Sequence, residues 1–191
     1  MQRRPPPRPM LVIVSGAPGA GKSTLAANVA EQLGLPLFAK DEFKEALADA
    51  IGAPPDVEAS QRLGLGAYAL LHLAARRVLE AGGGLVLESN FRRGIAETEL
   101  TGLVRLTEAR LIHCAPPDAL VVKRYTGRAR EGTRHPAHLD LARTPALHED
   151  LAAGRFAPLD LGLPTLVVDT SAGYDPPLAA ILRFAAGQDG R

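Results

Sequence analysis

The sequence predicts a single α/β domain in three layers, with helices covering both faces of a five-stranded parallel sheet. Short apolar runs without polar alternation recur along the chain, as expected for strands buried on both faces. Helical patterns separate these runs, and such alternation favours parallel strands joined by right-handed crossovers. Aromatic residues make up only 4% of the 191 residues, so the core must be built from Leu, Ala and Val, which suits helices packed on a sheet better than a β-sandwich.

Each element follows from its own pattern. Apolar, β-branched runs predict strands over 11–14, 35–39, 85–87, 109–114 and 166–168. Helical periodicity, with glycine or proline as stop signals, predicts helices over 22–33, 41–51, about 55–81, 95–108, 118–125 and 177–186. The stretch 126–138 is basic and is predicted to be irregular.

The composition narrows the classes of function. Lys and Arg number 22 against 21 Asp and Glu, so the net charge of +1 does not support general nucleic-acid binding. Cys114 is the single cysteine, which rules out an intramolecular disulfide and favours a cytoplasmic location. No apolar run reaches the roughly 20 residues needed to cross a bilayer. Residues 1–9 are rich in proline and are predicted to form a disordered tail before a domain that spans 10–187.

One segment matches the phosphate-binding pattern G-x-x-x-x-G-K-[ST] at every fixed position. A predicted strand precedes it and a predicted helix follows, as the pattern requires. Glycines allow backbone N–H groups to surround a phosphate chain, and the helix N-terminus adds unpaired N–H groups. A lysine at this position can reach the β- and γ-phosphates, and the following hydroxyl can ligate Mg²⁺. We therefore predict binding of ATP, or of GTP, with Mg²⁺, by Gly16, Ala17, Pro18, Gly19, Ala20, Gly21, Lys22, Ser23 and Thr24.

Through this motif and through the order and spacing of its elements, the sequence resembles the small P-loop kinases, which include adenylate and shikimate kinases. Within that group it is most similar to the kinase half of polynucleotide kinases, to chloramphenicol phosphotransferase and to the zeta-toxin-like enzymes. The resemblance covers the chain from about residue 10 to about residue 186. It implies a P-loop NTPase fold of nucleoside-kinase type with a small lid, and ATP-dependent phosphoryl transfer.

The resemblance also implies a carboxylate that activates the acceptor. In those enzymes an acid just after the second strand accepts the proton of the acceptor hydroxyl, and the matching residue here is Asp41. We predict that Asp41 caps the following helix at the carboxyl edge of the sheet, where ligands of α/β proteins bind. Capping alone would also explain an aspartate at this position. Lys44, three residues later, could steady an anionic group.

Two further predictions concern charge around the phosphates. Glu88 ends the third predicted strand, where a P-loop protein usually places an acid near Mg²⁺; the alternative is an ordinary strand-terminal acid. Small kinases of this type also carry a lid whose arginines contact the phosphates during transfer. We predict this lid over about residues 124–145, with Arg128, Arg130 and Arg134 as the candidate catalytic arginines and solvated surface as the alternative.

The acceptor stays open at this point. Ser89, Asn90, Arg92 and Arg93 could line its pocket, whereas His135 and His138 form only a weak metal pattern. The signatures of gluconate, shikimate and nucleotide kinases are not found in the sequence. We expect transfer to a hydroxyl of a small molecule such as a sugar, an aminoglycoside-like compound or a nucleoside. The alternatives are a polynucleotide 5′-hydroxyl, a nucleotide sugar, or a switch ATPase in which hydrolysis drives binding instead of transfer.

Overall fold

A parallel sheet forms the centre of the molecule in the computed structural model, which describes residues 8–132 and 134–188. The strands lie in the order β2-β3-β1-β4-β5 and all pair in parallel. Their bounds are β1 Met10–Gly16, β2 Leu37–Ala39, β3 Leu85–Glu88, β4 Glu108–Cys114 and β5 Thr165–Val168. Most of the tail predicted at 1–9 lies outside the described residues.

Helices cover both faces of this sheet. They are α1 Lys22–Leu33, α2 Lys40–Ile51, α3 Val57–Glu80, α4 Ala96–Val104, α5 Asp118–Arg130, α6 Asp140–Ala152 and α7 Leu178–Ala185. On one face, Leu25 of α1 and Ile181 of α7 pack against the inward side chains of β1 and β4. On the other face, Leu71 of α3 and Leu100 of α4 pack against the alternate residues of the same strands. These two apolar clusters produce the three layers, and the predicted fold class is confirmed.

The prediction was wrong about the region after β4. Helix α5 continues to Arg130 instead of giving way near residue 125, and the complete helix α6 was not predicted. The physical reason is a sparse apolar stripe. Within α6 only Asp140 and Leu147 are buried, and Pro145 lies inside the helix. Neither the periodicity nor the proline therefore indicated a helix.

The carboxyl edge of the sheet gathers the segments that matter for function. The turn from Ala17 to Gly21 follows β1, and α2 follows β2 without a connecting loop. Glu88 is the last residue of β3. Because the strands are parallel, these ends meet at one edge, where α5 packs beside Gly19 and α6 packs against α5. Among the described residues, no helix combines the length and the apolar character that a membrane crossing needs.

Candidate active site at the carboxyl edge of the sheet

A cleft of about 910 Å³ runs along the carboxyl edge of the sheet. This volume lies near the upper end of the roughly 300–1,000 Å³ that small-molecule sites usually occupy. Positive charge predominates among its lining side chains. The cations are Lys22, Lys40, Arg92, Lys123, Arg124, Arg128, Arg130, Arg134 and Arg143, and the carboxylates are Asp41, Glu88, Glu131, Asp140 and Asp150. Such a lining suits anionic ligands.

The turn after β1 depends on glycine at two close approaches. Gly16 has φ 138°, and a Cβ there would lie 2.5 Å from the carbonyl oxygen of Cys114. At Gly19, with φ 90°, a Cβ would lie 2.7 Å from the carbonyl oxygen of Val121. A side chain at either position would require both a strained backbone and a shifted neighbour. The glycines that carry the sequence motif are therefore also required by packing.

Lys22, Ser23 and Glu88 meet at the start of α1. The Lys22 ammonium lies 3.8 Å from Glu88 Oε1 and donates to the carbonyl oxygen of Ala17 at 2.9 Å. The Ser23 hydroxyl donates to Glu88 Oε2 at 3.3 Å. Burial raises the pKa of Glu88, against the opposing charge of Lys22. The two residues predicted to hold Mg²⁺ are thus neighbours, and their hydroxyl and carboxylate oxygens are ligands that this hard cation prefers.

Asp41 lies in the cleft, but the prediction that it caps a helix was wrong. Helix α2 begins one residue earlier, at Lys40, with Ala39 in the capping position, so Asp41 belongs to the first turn. Arg134 Nη2 donates to Asp41 Oδ2 at 2.6 Å, and Lys40 Nζ lies 3.8 Å from Asp41 Oδ1. Burial favours the neutral acid, yet the charges of His138, Lys40 and Arg134 together hold the pKa of Asp41 well below its usual range.

His138 contributes to this effect only when it is protonated. Burial, with the neighbouring cations, lowers the pKa of His138 to about 3. At neutral pH, therefore, Lys40 and Arg134 keep Asp41 ionised. His138 Nε2 lies 2.8 Å from Glu45 Oε1. Among the described residues, no group of three or more His, Cys, Asp or Glu side chains is arranged to hold a metal ion.

Lys44 does not reach the cleft, which corrects the expectation that it steadies an anionic group. Its side chain is 1% exposed, and Nζ donates to Ser60 Oγ at 2.6 Å. The Ser60 hydroxyl in turn donates to the carbonyl oxygen of Ala137 at 2.9 Å. This buried chain ties α2 and α3 to the segment between α5 and α6. Burial lowers the pKa of Lys44 to about 8.

The three predicted lid arginines all line the cleft, but in different states. Arg134 is engaged with Asp41, with Asp140 Oδ2 at 3.3 Å and with Glu45 Oε1 at 3.7 Å. Arg128 is half-buried, and its Nε has no hydrogen-bond partner among the described residues. Arg130 is exposed to solvent.

Some residues of the loop after β3 line the cleft, and others are part of the surrounding scaffold. Of the four residues suggested for an acceptor pocket, Asn90 and Arg92 line the cleft, whereas Ser89 is buried. The backbone N–H of Arg93 donates to the carbonyl oxygen of Arg155 at 2.8 Å, and Arg93 does not line the cleft.

The far end of the cleft is closed by the loop before α7. Arg124 Nη2 donates to the carbonyl oxygens of Thr170, at 2.9 Å, and Ser171, at 3.1 Å. The Thr170 hydroxyl donates to the carbonyl oxygen of Ala20 at 2.7 Å. This loop is therefore fastened both to α5 and to the phosphate-binding turn.

Sequence reasoning missed two cations of the cleft, Lys40 and Arg143. Lys40 follows a short strand and precedes Asp41, and its position beside that acid was the available signal. Arg143 lies in α6, inside the range predicted for the lid, but it was not singled out because that helix was not predicted.

Comparisons with known proteins agree with this architecture. Residues 11–152 match the family model described as AAA domain. An adenylate kinase from Nocardioides sp. (strain ATCC BAA-499 / JS614) is 31% identical over 160 residues, which cover 78% of this chain and 81% of that protein. A candidate kinase from Chloroflexus aurantiacus J-10-fl has 36% identity and a TM-score of 0.83, over 95% of this chain and 99% of its own. A sugar kinase from Janibacter sp. HTCC2649 shares the fold, with 20% identity and a TM-score of 0.57 over 94% of both chains.

Proposed function

We propose that this chain transfers the γ-phosphate of ATP to a hydroxyl of a small molecule. The premise is that the chain belongs to the AAA-domain family and is a kinase of the small P-loop group. The observation that carries the proposal is one cleft that holds both the phosphate-binding turn and the carboxylate of Asp41. The first supplies a donor site and the second a proton acceptor. A carboxylate in this position can activate an acceptor hydroxyl or water, so the dependence of turnover on an acceptor is what distinguishes transfer from hydrolysis.

The positions of the side chains suggest how ATP would lie. Its phosphates would follow the turn from Gly16 to Ser23, where backbone N–H groups and the N-terminus of α1 meet their negative charge. Lys22 would neutralise the β- and γ-phosphates. Because Glu88 and Asp41 lie on the β3 and β2 side, the γ-phosphate would point that way. The base would then lie on the opposite side, between Arg124 and the loop before α7.

Ser23 and Glu88 are the residues that would hold Mg²⁺, since their oxygens already lie within hydrogen-bonding distance of one another. When bound, this ion would neutralise phosphate charge and orient the β- and γ-phosphates for transfer. Glu88 is 4% exposed, and the Lys22 ammonium at 3.8 Å already offsets part of the cost of its buried carboxylate; Mg²⁺ would supply a second positive charge there.

The acceptor would occupy what we call the acceptor half of the cleft, which is lined by Lys40, Asp41, Asn90, Arg92, Arg134 and Arg143. The hydroxyl oxygen forms a bond to the γ-phosphorus while the bond from that phosphorus to the bridging oxygen of ADP breaks. The hydroxyl proton passes to the Asp41 carboxylate, which is ionised at neutral pH. Arg128, whose half-buried side chain lines the cleft without a carboxylate in ion-pair distance among the described residues, is the arginine that we assign to the charge that spreads over the transferring group.

The test is whether ATP turnover depends on an acceptor. ADP release is measured with ATP and Mg²⁺, first alone and then with each member of a library of hydroxyl compounds. We expect at least one compound to stimulate release and to appear as its phosphorylated product. Lys22→Ala serves as the inactive control. Hydrolysis at one rate whatever compound is added would contradict the proposal and favour a switch ATPase.

A further inference from the structure

The cations of the acceptor half are not equivalent. Arg92 is paired with the carboxylate of Asp150, which Arg155 also contacts at 3.3 Å. Arg134 is paired with Asp41, and it also contacts Glu45 and Asp140. Both of these guanidinium groups are therefore already neutralised by acids of the protein. An additional anion would gain little from either of them unless an existing pair were broken.

Arg143 and Lys40 are in a different position. No carboxylate among the described residues lies within ion-pair distance of the Arg143 guanidinium, although this residue is half-buried and lines the cleft. Among the described residues, Lys40 has one carboxylate within ion-pair distance, that of Asp41 at 3.8 Å, and the other oxygen of that carboxylate is held by Arg134. The Lys40 side chain is only 16% exposed. Positive charge in this part of the cleft is thus left largely uncompensated.

The surroundings of Lys40 add to this imbalance. Burial lowers the pKa of Lys40, and the charges of Arg143 and Arg134 act in the same direction, against the attraction of Asp41 and, more weakly, of Glu88. The Lys40 ammonium lies against the backbone of α3, because a Cβ added at Gly64 would lie 3.4 Å from Lys40 Nζ. The positive charges of Lys40 and Arg143 lie in the same half-buried part of the cleft without a full counter-charge, so they repel one another. A bound anion would remove this repulsion.

We propose that the acceptor carries an anionic group, either a carboxylate or a phosphate monoester, which Lys40 and Arg143 bind while the reacting hydroxyl lies at Asp41. This inference rests on the proposed function and specifies its substrate class. The planar guanidinium of an arginine can hold two oxygens of such a group at once, and the lysine adds a point charge. Because Asp41 is itself ionised, the anionic group must be separated from the reacting hydroxyl along the acceptor. A hydroxy acid and a phosphorylated polyol both meet this requirement.

The test uses pairs of compounds with one carbon skeleton. One arm pairs hydroxy acids with the corresponding neutral sugars or polyols, and the other pairs sugar phosphates with the unphosphorylated sugars. Binding to the wild-type chain is measured by calorimetry, and acceptor-stimulated ADP release by kcat/KM. We expect the anionic member of at least one pair to exceed its neutral partner by about tenfold or more in both measurements, as loss of a charge-assisted hydrogen bond implies. The arm that responds identifies the group as carboxylate or phosphate.

The variants are Arg143→Gln and Lys40→Gln, with Arg105→Gln as the control for net charge. Arg105 is exposed at the end of α4 and does not line the cleft. We expect the first two variants to raise the KM of the anionic compound about tenfold, to reduce the preference for the anionic over the neutral compound in kcat/KM by a similar factor, and to bind ATP normally. Arg105→Gln should behave as wild type.

Two results would overturn the inference while leaving the proposed function intact. One is equal or better use of the neutral members, and the other is an anionic preference that survives both variants. If no compound stimulates ADP release, the proposed function fails, and calorimetry still decides the binding site. In that case the absence of anion binding, or binding unchanged in Arg143→Gln, would count against the site.

Discussion

The phosphate-binding turn and the acceptor half of the cleft are built from different parts of the protein. The turn is one continuous stretch, and its geometry comes from glycine backbone packed against the neighbours of β1. The acceptor half is assembled from side chains of α2, the loop after β3, and the region from Arg134 to α6. Its central contact, between Asp41 and Arg134, joins residues 93 positions apart in the chain.

Because of this difference, we expect ATP binding and phosphoryl transfer to depend on different sets of residues. Backbone N–H groups hold any phosphate chain of the right shape, so the turn responds to the nucleotide and is indifferent to the acceptor. The acceptor half depends on titratable side chains, and two of them, Asp41 and Arg134, are each influenced by several charged neighbours. Substitutions in the turn should therefore weaken every activity that uses ATP. Substitutions in the acceptor half should affect transfer and leave ATP binding intact.

The largest effect is expected for Lys22→Ala. Lys22 is buried and supplies the positive charge nearest to Glu88, so its loss removes a phosphate contact and leaves that carboxylate without a partner cation. Turnover should fall by about 10³-fold or more, as for other electrostatic groups that act on a transferring phosphoryl group. Steady-state ADP release and the thermal shift with ATP measure the effect. Unchanged values in both would refute the assignment of the phosphate site.

Asp41→Asn should have the next largest effect. Asparagine keeps the shape but cannot take the acceptor proton at neutral pH, so transfer should fall by about 10²-fold while ATP affinity is retained. Glu45→Gln is a matched control, because Glu45 also contacts Arg134, at 3.7 Å, but does not line the cleft. If the two variants lose activity equally, Asp41 acts by holding Arg134 and the base lies elsewhere.

A smaller effect should distinguish two of the arginines predicted for the lid, Arg128 and Arg130. Arg128→Ala should lower kcat about tenfold or more with little change in ATP affinity, because its half-buried side chain lines the cleft without a carboxylate partner among the described residues. Arg130→Ala should change kcat less, since Arg130 is exposed. Single-turnover transfer rates separate the two variants. The reverse order would show that Arg128 is only part of the scaffold.

Much of the fold followed from local patterns, because buried strands and amphipathic helices leave a periodic record in the sequence. The exception is α6, where only two residues are buried and the apolar positions are too few to show a helical period. The phosphate-binding turn could be predicted because its function is local. Asp41 came from the resemblance to small P-loop kinases.

The partners in the acceptor half could not be predicted in this way. Nothing in the sequence relates Arg134 to Asp41, or Arg143 to Lys40, until the helices are packed. Lys44 illustrates the same limit. Helical spacing placed it near Asp41 on α2, but only the packing of α3 decided that its ammonium points to Ser60 and away from the cleft.

The smallest effect concerns stability and the scaffold of the acceptor half. The pKa of Lys44 is about 8 in the folded chain against an ordinary value of 10.5, so between these values the unfolded chain binds more protons than the folded chain. The contribution of Lys44 to the free energy of unfolding therefore increases as the pH rises through that window, and it does not change with pH below the window. Compared with Lys44→Met, the wild-type chain should gain about 1–3 kcal/mol in its free energy of unfolding as the pH rises from about 7.5 to about 10.5.

Urea unfolding at several pH values measures this difference in the free energy of unfolding, and Lys123→Met, at an exposed lysine, is the control that should show no such trend. A gap between wild type and Lys44→Met that stays constant with pH would mean that the buried ammonium is not destabilised by its surroundings. Lys44 would then contribute nothing to the pH dependence of the scaffold beside the acceptor half.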